Sequence, residues 1–223
     1  MTMRLADRAM PVLLLVAAVM FAAAPFLIND APEESTMGLV QKIFYFHVPA
    51  AMMTFAGAFA CGLASAAFLW RRRPEADHLA LAGAELAVLF GIIVLVTGPL
   101  WARKAWGVWW QWDARLTITL VMWMVFVSYM LLRRFGGPGS EVLAAAVGVF
   151  GMVLVPFVYL SVHLWRTIHP TTDVIRSLPP EMRWPFLWCT TAFLFLFVAL
   201  LIARTRLETA RATLERAYLA LED

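Results

Sequence analysis

"LALAGAELAVLFGIIVLVTGPL", residues 79–100, contains a single ionisable side chain, Glu85. At about 1.5 Å per residue, a helix of this length crosses the roughly 30 Å hydrocarbon core of a bilayer. Comparable uncharged or nearly uncharged runs occupy 9–28, 46–70, 117–132, 142–162 and 184–203. The shortest of them, 117–132, gains length from its flanks. A membrane leaves helices or closed barrels as spanning structures, and none of these runs alternates as a barrel strand must. The fold class is therefore all-α, a polytopic integral membrane protein with six transmembrane helices. Composition agrees, with 62% apolar residues, 15% charged residues and a mean hydropathy of +0.77. A soluble domain carries about 25% charged residues.

The first run, with Arg4 and Arg8 before it and Ala22-Ala23-Ala24 near its end, has the outline of a cleavable signal peptide. No soluble domain follows it, so it is read as a retained first helix. With the N-terminus inside, eleven basic residues face the inner side, among them Arg71 to Arg73, Arg133, Arg134, Arg204 and Arg206. Seven face the outer side: Lys42, Arg103, Lys104, Arg115, Arg166, Arg176 and Arg183. The positive-inside rule then places both termini in the cytoplasm.

The inner connections "RRRPEADH" and "RRFGGPGSE" read as tight turns. Residues 1–203 are expected to form the transmembrane domain. Residues 204–223 form an amphipathic helical tail, with Leu207, Ala210, Leu214, Ala217 and Leu221 at helical spacing. This tail either extends the sixth helix or lies on the membrane surface. Cys61 and Cys189 both fall within spans, make no C-x-x-C pair, and read as small buried hydrophobes.

The unusual chemistry is on the outer side. "WGVWWQWDARLT", residues 106–117, puts Trp106, Trp109, Trp110 and Trp112 directly before Asp113 and Arg115. Five of the ten tryptophans lie between 101 and 112. An aromatic belt at the headgroups spreads its indoles over every helix end, so this concentration points to a flat ligand. His47, His163 and His169 share that side, while His78 is on the inner one. Imidazole is a common axial ligand of haem iron. The indoles, with Trp101 and Trp165 extending the wall, supply flat faces for a porphyrin. Arg103, Lys104, Arg115 or Arg166 supply cations for its carboxylates. Asp113 either caps the following helix or orients Arg115 or an indole N–H.

Several classes are disfavoured. No span is charged near its centre, Glu85 being close enough to the inner end to reach water or an inner basic residue. Ion-coupled transporters usually need such charges or broken helices. The chain also has no P-loop. An electron-transfer cytochrome would hold its haem within the bundle, often with more than one histidine pair.

The tryptophan segment matches the WWD signature of the haem-handling membrane proteins of cytochrome c maturation. With "FYFHVPAA" entering the second helix, the whole chain resembles the CcmC family, the haem exporter C proteins. The larger CcmF and CcsA proteins share the segment, but their extra helices and domains have no counterpart here. The resemblance implies a bacterial inner-membrane protein whose WWD segment, 101–117, lies in the second periplasmic loop. It implies non-covalent binding of haem b at the periplasmic face, with His47 and His169 as axial ligands from the loops flanking that segment. His163 falls outside the pattern and is taken as a neighbour. It further implies transfer of haem to the chaperone CcmE, alongside CcmA, CcmB and CcmD. The protein is then a carrier rather than an enzyme, its partners other proteins and the lipid bilayer, with no nucleic acid. Two alternatives remain: a transmembrane haem conduit, and a haem lyase acting directly on apocytochrome c.

Overall fold

The computed structural model describes residues 2–35, 37–171 and 174–222. The side chains of residues 2–8, which include Arg4 and Arg8, and those of Val174 and Glu222 lie outside the described part. The described chain is helix and turn, apart from one isolated bridge between Glu34 and Gly38. The helices are α1 (Thr2–Asp30), α2 (Phe44–Arg71), α3 (Pro74–Trp106), α4 (Ala114–Phe135), α5 (Ser140–Leu164), α6 (Val174–Ser177) and α7 (Pro180–Glu222). A 3₁₀ turn at Leu39–Ile43 leads into α2. All except α6 are long and apolar enough to cross a membrane, giving six spans.

The short turns between helices close for local reasons. Arg72 takes a left-handed φ of 53° at the end of α2, its N–H bonding Phe68 O at 2.8 Å. Pro74 then opens α3, where its missing N–H costs nothing. At the other end of α3, Gly107 stops the helix with a φ of 78°, a conformation that favours glycine. Residues 204–222 continue α7 without a break. The helix runs unbroken for 43 residues, about 64 Å and roughly twice the hydrocarbon thickness.

In lipid, helices associate by close packing rather than by the hydrophobic effect, and small residues allow it. The α2–α3 pair shows how. A Cβ added to Gly57 would stand 2.7 Å from Ala87 N, and one added to Gly83 would stand 2.6 Å from Cys61 N. The two backbones therefore meet directly through Gly57, Cys61, Gly83 and Ala87. Around that seam Ala58, Ala84, Met122, Phe126, Tyr129 and Ala144 form the principal core. Both cysteines are buried and unpaired. A second seam joins α1 to α7, where Trp188 Nε1 donates to Met20 O at 2.9 Å.

Charge ties gather toward the end of the bundle that carries the α2–α3 and α4–α5 turns. Arg133 Nη2 on α4 donates to Asp77 Oδ2 on α3 at 2.7 Å. Glu85 accepts from Arg204 on α7, which also bonds Glu208 at 2.9 Å. Glu85 thus finds a basic partner, and its charge is not left bare in the span. The opposite end of the bundle gathers the start of α2, the end of α3, the start of α4, the end of α5 and the start of α7. That end carries the site.

Candidate functional site

His47 falls in the first turn of α2, facing α3. Its Nδ1 is 2.8 Å from Thr97 Oγ1, and that hydroxyl donates its own proton to Ile93 O at 2.7 Å. A hydroxyl has one proton to give, so Thr97 accepts and His47 Nδ1–H donates. The free lone pair of the ring is then on Nε2. His169 lies between α5 and α6, with Nδ1 2.8 Å from Pro170 O. A carbonyl only accepts, so His169 is also an Nδ1–H tautomer with Nε2 free. An outer partner holding one ring nitrogen is the arrangement that prepares a histidine to ligate metal through the other. Burial, reinforced by the charge of Arg115, holds the pKa of His169 below the ordinary imidazole value. At neutral pH the ring is neutral, as coordination requires.

Both rings line one cavity of about 780 Å³ among α2, α3 and α4, bordered also by Pro32, Glu33, Glu34, Ser35, Met37, Gln41 and the start of α7. Cavities that bind small molecules run to about 300–1,000 Å³. From His47 the cavity descends to Thr54, seven residues along α2, or about 10 Å. Gly91 and Trp123 also line it. Trp123 Nε1 donates to Val88 O at 3.0 Å, joining α4 to α3 beneath the cavity.

The tryptophans divide into two groups. Trp101, Trp106 and Trp110 line the cavity. Trp101 and Trp106 meet edge to face at 4.7 Å, and Trp106 lies 6.4 Å from the His169 ring. Trp110 Nε1 is buried without a partner among the described residues, and so is Gln41 Oε1, also on the wall. Trp109 and Trp112 stand outside it, 57% and 74% exposed. The segment turns irregularly after α3, and this is what sends neighbouring indoles in different directions.

Of the candidate cations only Arg115 lines the cavity. Its Nη1 donates to Val158 O at 2.7 Å, which leaves Nε and Nη2 donors for a ligand. Arg103 turns back to cap Gly107 O, and Arg103, Lys104 and Arg166 are all exposed away from the wall. His163 is exposed in the last turn of α5, also away from the wall. Asp113 does not line the cavity. It caps α4, accepting from Leu116 N at 2.9 Å through Oδ1. Through Oδ2 it accepts from Thr167 Oγ1 at 2.5 Å and Ile168 N at 3.1 Å. Of the two roles read from the sequence the cap is realised, and the second proves to be a tie to the His169 segment rather than to Arg115 or an indole.

Sequence reasoning passed over Thr97, Gln41 and Thr167. Thr97 had a faint signal, as a lone hydroxyl within the apolar run 79–100. Gln41 and Thr167 had none. Glu33, Glu34 and Glu181 also border the cavity, so its lining carries carboxylates as well as the Arg115 guanidinium. Two neutral imidazoles with free Nε2 atoms, indole walls, apolar lining and one cation form a donor set that suits a haem.

Comparison with known proteins points the same way. The family model described as "Heme exporter protein C" matches residues 1–220. A protein of that name from Bradyrhizobium diazoefficiens is 34% identical over 213 residues, covering 93% of this chain and 81% of the relative. Its namesake in Escherichia coli K12 is 36% identical over 186 residues, covering 79% and 73%. A mitochondrial protein of Marchantia polymorpha, named as ccmC-like and for cytochrome c biosynthesis, is 28% identical over 179 residues, covering 79% and 77%.

Proposed function

The chain belongs to the haem exporter protein C family and handles haem for cytochrome c maturation as a multi-pass membrane protein; from that premise we propose that the cavity is where it holds the haem. His47 and His169 ligate the iron through Nε2. Trp101, Trp106 and Trp110 pack on the macrocycle. Arg115 takes the propionate charge, and Glu33, Glu34 and Glu181 keep that anionic edge away from their own part of the wall. The haem is b-type and non-covalently bound, and it lies at the periplasmic face of the inner membrane. Its destination is the chaperone CcmE, in a complex with CcmA, CcmB and CcmD. The protein is a carrier, its contribution being position and electronics.

The observation that carries this reading is the pair of outer partners, Thr97 Oγ1 and Pro170 O, that leave both Nε2 atoms unprotonated beside one cavity. Below the cavity the helices close on one another at Gly57, Gly83 and Trp123, which supports a holding site over a conduit. The test is an absorption spectrum of purified protein after haem addition, oxidised and reduced. Wild type gives a low-spin, bis-histidine spectrum. His47→Ala and His169→Ala each lose or convert it, and His163→Ala leaves it unchanged. A wild type that binds no haem ends the reading. A change with His163→Ala alone moves the second ligand from His169 to that residue.

A further inference from the structure

The two imidazoles are held by different means. His47 belongs to a long helix, and its bond to Thr97 joins it to a second long helix across a closely packed seam. No loop takes part. His169 sits in a segment without regular structure. Its own bonds are local: His169 N donates to Thr167 Oγ1 at 3.1 Å, and Nδ1 to Pro170 O. These bonds shape the segment without fastening it to the bundle. Among the described residues, the hydrogen bonds joining 166–170 to another element come from Thr167 Oγ1 and Ile168 N, and both end on Asp113 Oδ2.

We infer that Asp113 is a latch: it holds His169 against the cavity, and opening it withdraws that imidazole while His47 stays in place. The inference rests on the haem-holding reading and adds the order in which the site lets go. Asp113 is suited to the part because its two oxygens do separate work. Oδ1 fixes the carboxylate to the first turn of α4, while Oδ2 gathers both donors from the loop. Bonds to a carboxylate are roughly twice as strong as neutral ones, so one side chain suffices to hold the segment. A partner or ligand that competes for Thr167 O–H and Ile168 N–H would free His169 without unfolding a helix. The tetrapyrrole would then remain on one protein ligand, with a coordination position open to an incoming group. Asp113 is thus a positioning residue that acts through His169.

Two substitutions separate the latch from the cap. Asparagine is as good a helix cap as aspartate, but in Asp113→Asn one oxygen becomes an N–H₂. The side chain then satisfies Leu116 N or the loop, not both. Thr167→Val removes one loop donor, together with the acceptor of His169 N, and leaves the cap untouched. The exchange of Ile168 and the residues beside it, not of His169 alone, therefore reads the latch. Amide hydrogen exchange on the haem-free protein in detergent is the first readout. Both variants should speed exchange across 165–171 by about tenfold or more, the scale of a lost bond to a charged acceptor. In Thr167→Val, exchange at Leu116 and Thr117 stays at the wild-type rate. The second readout is the spectrum after haem addition. Both variants shift from six-coordinate low-spin toward five-coordinate high-spin, and added imidazole restores the low-spin form. A merely structural defect would not be repaired by a free ligand. Unchanged exchange in both variants overturns the latch. Faster exchange with an intact bis-histidine spectrum overturns its control of the ligand. If wild type takes up no haem, the haem reading is what fails, and the exchange data still decide whether Asp113 holds the segment.

Discussion

At the scale of single residues, the free lone pair of His47 depends on Thr97. The Thr97 hydroxyl accepts from the ring at 2.8 Å only because its own proton is committed to Ile93 O at 2.7 Å. Thr97→Val keeps the volume but leaves Nδ1–H unpaired, a penalty of about 1–3 kcal/mol for a buried donor. Outer partners of metal-bound histidines typically change affinity by about 10–100-fold. Haem titration should therefore show weaker binding of that order in Thr97→Val and near-wild-type binding in Thr97→Ser. Equal affinity in the valine variant would mean the hydroxyl does not set the tautomer. The residues that line the cavity were legible in the sequence as types: histidines, tryptophans and an arginine gathered at and between the ends of spans. Which tryptophans face the cavity was not legible. Beyond Trp106 the segment has no helical period, so spacing assigns no face to Trp109, Trp110 or Trp112.

At the scale of elements, the spans were legible because bilayer thickness dictates a length. The run 79–100 lies inside α3, Pro74–Trp106, and the run 117–132 inside α4, Ala114–Phe135. The helices outlast their apolar stretches because capping and basic residues keep the ends helical after they leave the hydrocarbon. What hydropathy does not reveal is how closely two spans approach. Gly83 faces Cys61 N so closely that any side chain there meets backbone. Gly83→Leu should force α2 and α3 apart, at more than the ~1–3 kcal/mol of an ordinary overpacked core. The expected result is a large fall in thermal stability in detergent, with loss of haem binding, because His47 and Thr97 sit on those two helices. A variant with wild-type melting would show that the seam yields.

For the whole molecule, the six spans alternate in direction, bringing His47 and His169 to one end and the pairs Asp77–Arg133 and Glu85–Arg204 toward the other. By the positive-inside rule, the surplus of arginine at those turns and in the tail predicts that this second end faces the cytoplasm. A green fluorescent protein fused after Asp223 should therefore fluoresce, and alkaline phosphatase at the same position should be inactive. The reverse pair of results would put the cavity on the cytoplasmic side and remove the periplasmic delivery step.

The number of spans, their length and apolar character, and the gathering of His47, His169 and the indoles at one end follow from the sequence alone. Each is a property of short stretches: the energy of burying a run of side chains in lipid, and the excess of charge between runs. The pairing of His47 with Thr97, the tie from Asp113 to Thr167 and Ile168, and the closure beneath the cavity by Trp123 on Val88 O were decided by tertiary structure. These contacts join residues 35 to 55 positions apart, on different helices or loops. Hydrogen bonds act over about 3 Å and leave no periodic trace in a sequence, so only the packed helices bring the partners together.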